Sequence, residues 1–561
     1  MSGFFTKTRS YSAVVVLLLL IAVVYLPFMG KRFVRTAGDE KVYVSQVIEM
    51  ERDGRWFVQT LQDVPDYYKG PLHPILTRAG IIIFGKTPWA ILYMNLVMVV
   101  LGSLAVFSVI RRNLPGADWT GVWAGFFFAT GVGIYTHAYI SQMDVELAGL
   151  FAIAMFLLSR LPMERDGFVF WMVVGLTGLV KAPLHSFLLG ISAFLFWLLT
   201  GELLNRLINP KTWLAIGTGV AICLLGFAPA YFFDHANFVA LYIMKEIVNK
   251  TATHQHWSIP VVPIFSYYLL PWALLAIVAY LKLPFLLREV FLNTNKRRLF
   301  FLSISFLLPS VVFFIMHPYR LENYNLPAIG AVVVLVTLLL HAPGTMQTSI
   351  IRVSLFCTSL ICLLFATAVS AVAIRFWPLP EWWPQWLLTF IWLGSLFSAL
   401  GFFFFGAAAR VFRPLALAIS SVGIIAAIAV LGTTIGEREL IDLRGYLAQK
   451  GNRHSLGYYN LQRNIWSEWG ILNFWVKADV YGIHDENKLR QVISRGGTVL
   501  VPSKEALSVI QAAFPGRSFN LQIWKKWRTQ GKSDDGHPLW LEAWRMRNLA
   551  VLERDFYILN P

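Results

Sequence analysis

Charge is absent from the chain between Ser12 and Gly30, and about 20 apolar residues are enough to cross a bilayer as a helix. The same pattern recurs along most of the sequence. Apolar stretches run over 12–30, 72–84 with 88–110, 119–136, 144–159, 168–181, 184–200, 212–233, 263–281, 299–316, 324–341, 352–376, 385–408 and 414–435. This predicts about thirteen transmembrane helices, with 71–110 treated as a single crossing. The first stretch is long for a signal-peptide core and lacks a small-residue cleavage site, so it reads as a retained helix.

The pattern changes near Gly436, dividing the chain into a membrane domain, 1–435, and a soluble domain, 436–561. In the second part Leu440, Leu443 and Leu447 have helical spacing over Glu439 to Lys450, ended by Gly451. Ser455 to Tyr459 and Thr498 to Val501 read as strands, and Asn487 to Ile493 and Lys504 to Ala513 as helices. Leu521 to Trp527 and Leu539 to Trp544 alternate apolar and polar residues around a polar loop, which predicts a terminal hairpin. The whole predicts a small α/β domain.

Composition agrees: 57% of the 561 residues are hydrophobic and 14% charged, against roughly 25% charged in soluble domains. The net charge of +17 does not point to nucleic acid, because the basic residues cluster in short loops. With the N-terminus inside, 111–118, 160–167, 201–211, 282–298 and 409–413 fall on the cytoplasmic side, each carrying Lys or Arg. The loops 31–70, 137–143, 234–262, 317–323 and 377–384, and the C-terminal domain, then fall outside. The three cysteines lie in apolar runs, which argues against a disulfide framework or a thiolate metal site.

Candidate chemistry collects in the outer loops. Asp39-Glu40 stands just beyond the first span, where ionised groups are costly unless they have a partner or a task. Lys69 lies where the chain re-enters hydrocarbon, in Tyr67-Tyr68-Lys69-Gly70-Pro71-Leu72-His73. An ammonium there suits a phosphate at headgroup depth, although a lysine snorkelling in an aromatic belt has the same sequence. Asp144 and Glu146 open a later span, where a helix dipole also favours acids. His254 and His256 can share a metal ion, but no third ligand stands at diagnostic spacing; they read better as part of a polar lid.

These residues resemble a family. The first span followed by Gly38-Asp39-Glu40, then Tyr43, a loop with Met50 and Trp56, Tyr68-Lys69-Gly70-Pro71-Leu72 and Phe84-Gly85 is similar to the C-type (GT-C) membrane glycosyltransferases. The branch is that of the lipid A aminoarabinose transferases and protein O-mannosyltransferases. Gly178-Leu179-Val180-Lys181-Ala182-Pro183 resembles its Gly-Leu-x-x-Lys-Gly-Pro stretch. His317-Pro318-Tyr319-Arg320-Leu321-Glu322-Asn323-Tyr324-Asn325-Leu326-Pro327 resembles its basic element before a late span. The departures are Lys69-Gly70-Pro71 for Lys-Pro-Pro, Ala182-Pro183 for Gly-Pro, and Glu322 after Arg320.

The resemblance implies a polytopic α-helical GT-C fold with an extracytoplasmic α/β domain. It also implies a polyprenyl-phosphate sugar donor, used outside the cytoplasm of a bacterial inner membrane, with outer loop 31–70 carrying catalysis. Asp39 takes the place of the catalytic aspartate and Glu40 that of its acidic neighbour. Lys69, Lys181 and Arg320 take basic positions for the donor phosphate, and Met143-Asp144 a second acidic position. Tyr67, Tyr68, Tyr319 and Tyr324 are candidates for the sugar or lipid groove, a place that interfacial tyrosines also occupy for their own reasons.

Elementary chemistry leads to a compatible mechanism. Lys and Arg can neutralise a leaving phosphate without a cofactor or metal, and one carboxylate can accept the proton of an attacking hydroxyl. Such single displacement inverts the sugar carbon. The acceptor, whether lipid A, another glycolipid, a glycan or a protein, is not legible. Two alternatives are a membrane transporter and a non-catalytic envelope scaffold. A transporter is expected to show internal repeats and charges near mid-bilayer, whereas these charges sit at span ends.

Overall fold

In the computed structural model the described residues are 2–29, 39–61, 63–67, 69–114, 116–160, 164–244, 262–317, 322–341, 456–459, 480–527, 539–547 and 553–560, with isolated positions between. The spans expected over 352–376, 385–408 and 414–435, the boundary at Gly436 and the helix over Glu439 to Lys450 lie outside them.

The described membrane part is helical. Its helices are α1 (Ser2–Met29), α2 (Glu40–Arg52), α3 (Leu72–Phe84), α4 (Pro88–Asn113), α5 (Asp118–Thr130), α6 (Val132–Ala138), α7 (Asp144–Ser159) and α8 (Glu164–Val180). They continue as α9 (Pro183–Leu199), α10 (Leu203–Ile208), α11 (Pro210–Ile243), α12 (Val262–Phe265), α13 (Ala273–Leu292), α14 (Thr294–Met316) and α15 (Ile329–Leu340). A two-stranded ribbon, β1 (Thr60–Leu61) and β2 (Val64–Pro65), lies between α2 and α3.

Among the described residues, four helices are long and apolar enough to cross a membrane: Pro88–Asn113, Pro210–Asp234, Thr294–Met316 and Asn323–Leu340. Helix α3 is only about 20 Å long at 1.5 Å per residue, short of a hydrocarbon core of about 30 Å. Pro88 at the start of α4 and Gly85 after α3 separate the two.

Helix α4 lies at the centre, packed on α3, α5, α7 and α15. Its approach to α7 is close because both helices carry glycine there. A Cβ on Gly149 would stand 2.7 Å from the Met98 carbonyl oxygen, and one on Gly102 would stand 3.2 Å from the Gly149 Cα. Small residues let apolar helices gain dispersion contact where no hydrophobic force drives them together.

Two departures from the sequence pattern bear on the site. The stretch 119–136, read as one span, is interrupted at Gly131, between α5 and α6. The break leaves the Val132 N–H to the Leu270 carbonyl (2.8 Å), as a peptide group packed inside protein demands. The second departure is α2. Within 31–70, read only as an outer loop, Glu40–Arg52 is a helix whose residues Glu40 to Met50 are all buried. Its charged residues hid it: Glu40, Lys41 and Glu49 are buried by protein rather than solvated.

The C-terminal region holds a five-stranded sheet of β3 (Leu456–Tyr459), β4 (Val480–Ile483), β5 (Thr498–Val501), β6 (Asn520–Trp527) and β7 (Glu553–Asn560), in the order β4-β3-β5-β7-β6. β3 pairs parallel with β4 and β5, and β7 runs antiparallel between β5 and β6. Helices α16 (Glu486–Ser494) and α17 (Lys504–Ala513) begin on side-chain caps from Asp485 and Ser503. The terminal hairpin is corrected: Leu539–Met546 is a helix, α18, and the partner of β6 is β7. Leu539, Leu541 and Ala543 fit alternation, but Phe556 and Ile558 carry the buried face of the pairing strand.

Substituting Gly149 by Leu should separate α4 from α7. Overpacking costs about 1–3 kcal/mol, so the variant is expected to melt several degrees lower in a detergent thermal-stability assay. An unchanged melting temperature would show that the α4–α7 contact is not close.

Candidate functional site

Four chain segments meet at one end of the bundle: the start of α2, the stretch before α3, the turn before α7, and the end of α8. Helix α2 begins at Asp39, which has helical dihedrals and whose carbonyl accepts from the Val42 and Tyr43 N–H groups. Asp39 is half-buried, and Glu40 is 1% exposed. Glu40 Oε1 accepts the Ser141 backbone N–H at 2.7 Å.

That bond pins the non-helical stretch 139–143. From the opposite side Asn95, buried in α4, donates through Nδ2 to the carbonyls of Ala138 (3.3 Å) and Ile140 (2.7 Å). Beside it the buried His73 bonds Glu146 Oε1 through Nδ1 at 2.8 Å and faces Ser141 Oγ through Nε2 at 3.4 Å. The turn ends at Asp144, the first residue of α7.

Asp144 is 3% exposed, and its carboxylate is spanned by two donors. Lys181 Nζ lies 2.6 Å from Oδ1, and Asn323 Nδ2 lies 3.0 Å from Oδ2. Lys181 also sits 5.0 Å from the centre of the Tyr324 ring, within cation–π range. An ammonium has three donors, so two remain for a ligand without a partner among the described residues.

Lys69 is brought to Lys181 through the backbone: the Gly70 N–H donates to the Lys181 carbonyl at 3.0 Å. Only glycine permits this approach, since a Cβ there would fall 2.0 Å from the Leu179 carbonyl oxygen. The Gly70 carbonyl accepts from Gln59 (3.3 Å), and Asp66 accepts from Gln46 of α2 (2.8 Å). The segment carrying Lys69 is thus tied to both α2 and α8.

Tyr67 reaches the far end of α11. Its hydroxyl donates to Asp234 at 3.4 Å, and its ring meets Phe238 edge-on. Burial, followed by the negative charge of Asp234, pushes its pKa up to about 12, so it remains a neutral donor.

The structure therefore groups Asp39, Glu40, Lys69, Asp144, Lys181 and Tyr324 through short links, with Tyr67 on an adjoining face. Tyr68, Arg320, Tyr319, His254 and His256 lie outside the described residues. Sequence reasoning passed over Ser141, Asn95, His73 and Asn323 as partners. Asn323 and His73 lay inside quoted motifs, but nothing local marked their distant contacts. No group of three His, Cys, Asp or Glu able to hold a metal occurs among the described residues.

The fold has solved counterparts. It is similar to the crystal structure of ArnT from Cupriavidus metallidurans bound to undecaprenyl phosphate, with a TM-score of 0.67 and 18% identity over 91% of this chain and 95% of that one. The apo state of the same ArnT gives 0.63 and 18% over 90% and 95%. Residues 68–233 match the family described as dolichyl-phosphate-mannose-protein mannosyltransferase. That match contains Lys69, His73, Ser141, Asp144, Glu146 and Lys181. No curated protein sequence matches the chain.

Replacing Asp144 by Ala strands Lys181 in a buried site. Breaking a buried pair costs about 3–5 kcal/mol, so thermal stability is expected to fall sharply. Adding Lys181→Met should recover most of the loss; a double variant no more stable than Asp144→Ala would show that the pair is not coupled.

Proposed function

We propose that the protein transfers a sugar from a polyprenyl-phosphate donor to an extracytoplasmic acceptor, with inversion at the sugar carbon. The observation that carries this reading is the Gly70–Lys181 backbone bond, which sets two buried lysines at the bundle end where Asp39 opens α2. Two cations beside one partly exposed carboxylate match the charge needs of breaking a bond to phosphate. The likeness to a fold seen with undecaprenyl phosphate supports the same donor class.

Each residue then has a task. Lys69 holds the donor phosphate and offsets the charge that grows on it as the glycosidic bond breaks. Lys181 contributes through the donors that Asp144 leaves over, and Asp144 keeps its ammonium aimed. Arg320 is assigned to the same phosphate by resemblance. Asp39 accepts the proton of the attacking hydroxyl, or orients an acceptor that is itself a phosphate. Glu40 acts through Ser141 rather than on substrate. One base and no covalent intermediate correspond to single displacement, and no step needs a metal.

The acceptor is lipid A, another glycolipid, a glycan or a protein hydroxyl, with residues 436–561 forming an outer domain over the site. The assigned location is a bacterial inner membrane, with the site on its outer face. A transporter or a scaffold gives no reason for Asp39, Lys69 and Lys181 to share one end of the bundle.

Asp39→Asn should abolish transfer, measured by mass spectrometry of envelope glycolipids and glycoproteins, while undecaprenyl phosphate binding stays within about twofold. Full activity in that variant would remove Asp39 from catalysis. Lys69→Ala should weaken undecaprenyl phosphate binding to the purified protein by about tenfold, the scale of one charge-assisted contact of ~1.5 kcal/mol. Undiminished affinity would rule out its phosphate role.

A further inference from the structure

Ser141, His73 and Glu146 stand in the order hydroxyl, imidazole, carboxylate, and all three are nearly sealed from solvent, at 0%, 1% and 2% exposure. His73 Nδ1 meets Glu146 at 2.8 Å, and Nε2 faces Ser141 Oγ at 3.4 Å. The order is that of a nucleophilic triad, but a substrate cannot reach a fully buried Ser141 hydroxyl. Something other than attack must explain a buried polar trio at the foot of the site.

Its neighbours supply the explanation. Ser141 is the residue whose N–H binds Glu40, next to Asp39. Glu146 lies on the same first turn of α7 as Asp144, which holds Lys181. His73 lies in the first turn of α3, three residues beyond Gly70, whose N–H holds the Lys181 carbonyl. One imidazole therefore ties together the segments that carry the proposed base, the donor lysine and the acid that aims the second lysine. Glu146 Oε2 has no hydrogen-bond partner among the described residues, so His73 is the partner that offsets the burial of this carboxylate.

We infer that His73, held by Glu146, is a positioning residue that fixes Asp39 against the two lysines through Ser141 and Glu40. The inference rests on the transferase reading of the site. It predicts a loss of turnover without loss of donor binding. Displacements of about 1 Å in such a constellation reduce rates by about a hundredfold, whereas a flexible lysine still reaches a phosphate.

Three substitutions separate positioning from simple stability, each read by three measurements: glycosylated product in the envelope of complemented cells, undecaprenyl phosphate binding in nanodiscs, and melting temperature. His73→Asn keeps a donor near the Nδ1 position and loses the contact to Ser141. His73→Gln reaches the Nε2 position and loses the bond to Glu146. His73→Leu combined with Glu146→Leu removes the buried pair without leaving an unpaired charge, so this variant is expected to fold.

All three should bind undecaprenyl phosphate within about threefold of wild type while product falls at least tenfold. Product restored in the double variant along with its melting temperature would overturn the inference, because the pair would then be structural only. Unchanged product in both single variants would overturn it as well. A wild type whose envelope glycans match those of Asp39→Asn would instead sink the transferase reading itself. That result is distinct from an active wild type with active His73 variants.

Discussion

Backbone that leaves the helix where protein buries it must find its hydrogen bonds within the protein, and the site is built around one such stretch. Between α6 and α7 the chain runs irregularly through 139–143. Asn95 takes its upstream carbonyls, Glu40 takes the Ser141 N–H, and His73 faces the Ser141 side chain. Each of these partners comes from a different element. Satisfying a few peptide groups therefore fixes the start of α2 relative to α3, α4 and α7.

Charge placement follows from the same economy of partners. Asp144, Lys181 and Asn323 form a set in which neither ion is left alone. Burial makes such a set rigid, since separating its members exposes each to the full desolvation penalty. Gly70 then allows the Lys69 segment to lie directly on the end of α8. The departure of Lys69-Gly70-Pro71 from the family's Lys-Pro-Pro has a physical meaning here: at Gly70 the approach to Leu179 excludes any side chain, and the N–H that proline lacks is the one that bonds Lys181.

How much could be read beforehand differs by element. The long apolar helices were legible because hydrocarbon selects composition over twenty residues, as in α4 and α14. Helices α16 and α17 were legible too, read as Asn487 to Ile493 and Lys504 to Ala513, while their caps came from the structure. Helix α2 was not, because Glu40, Lys41 and Glu49 made it look solvated, and only the surrounding protein explains their burial. Strand β7 was displaced by Leu539 to Trp544, whose pattern suits either strand or helix. Asp39, Lys69 and Lys181 stood out as charges at span ends. His73 and Asn95 did not, since a polar residue in an apolar run carries no sign of which backbone it will meet.

The sequence by itself determined that this is a helical membrane chain with a C-terminal sheet region, and that acids and lysines gather at the ends of its spans. Those properties follow from local composition and its period. Only the tertiary structure decided which charges pair, that Glu40 serves the turn at Ser141, and that Lys69 reaches Lys181 through Gly70. Partners separated by up to 179 residues, as Asn323 is from Asp144, are chosen by helix packing in three dimensions, where small residues permit contact and buried polar groups require it.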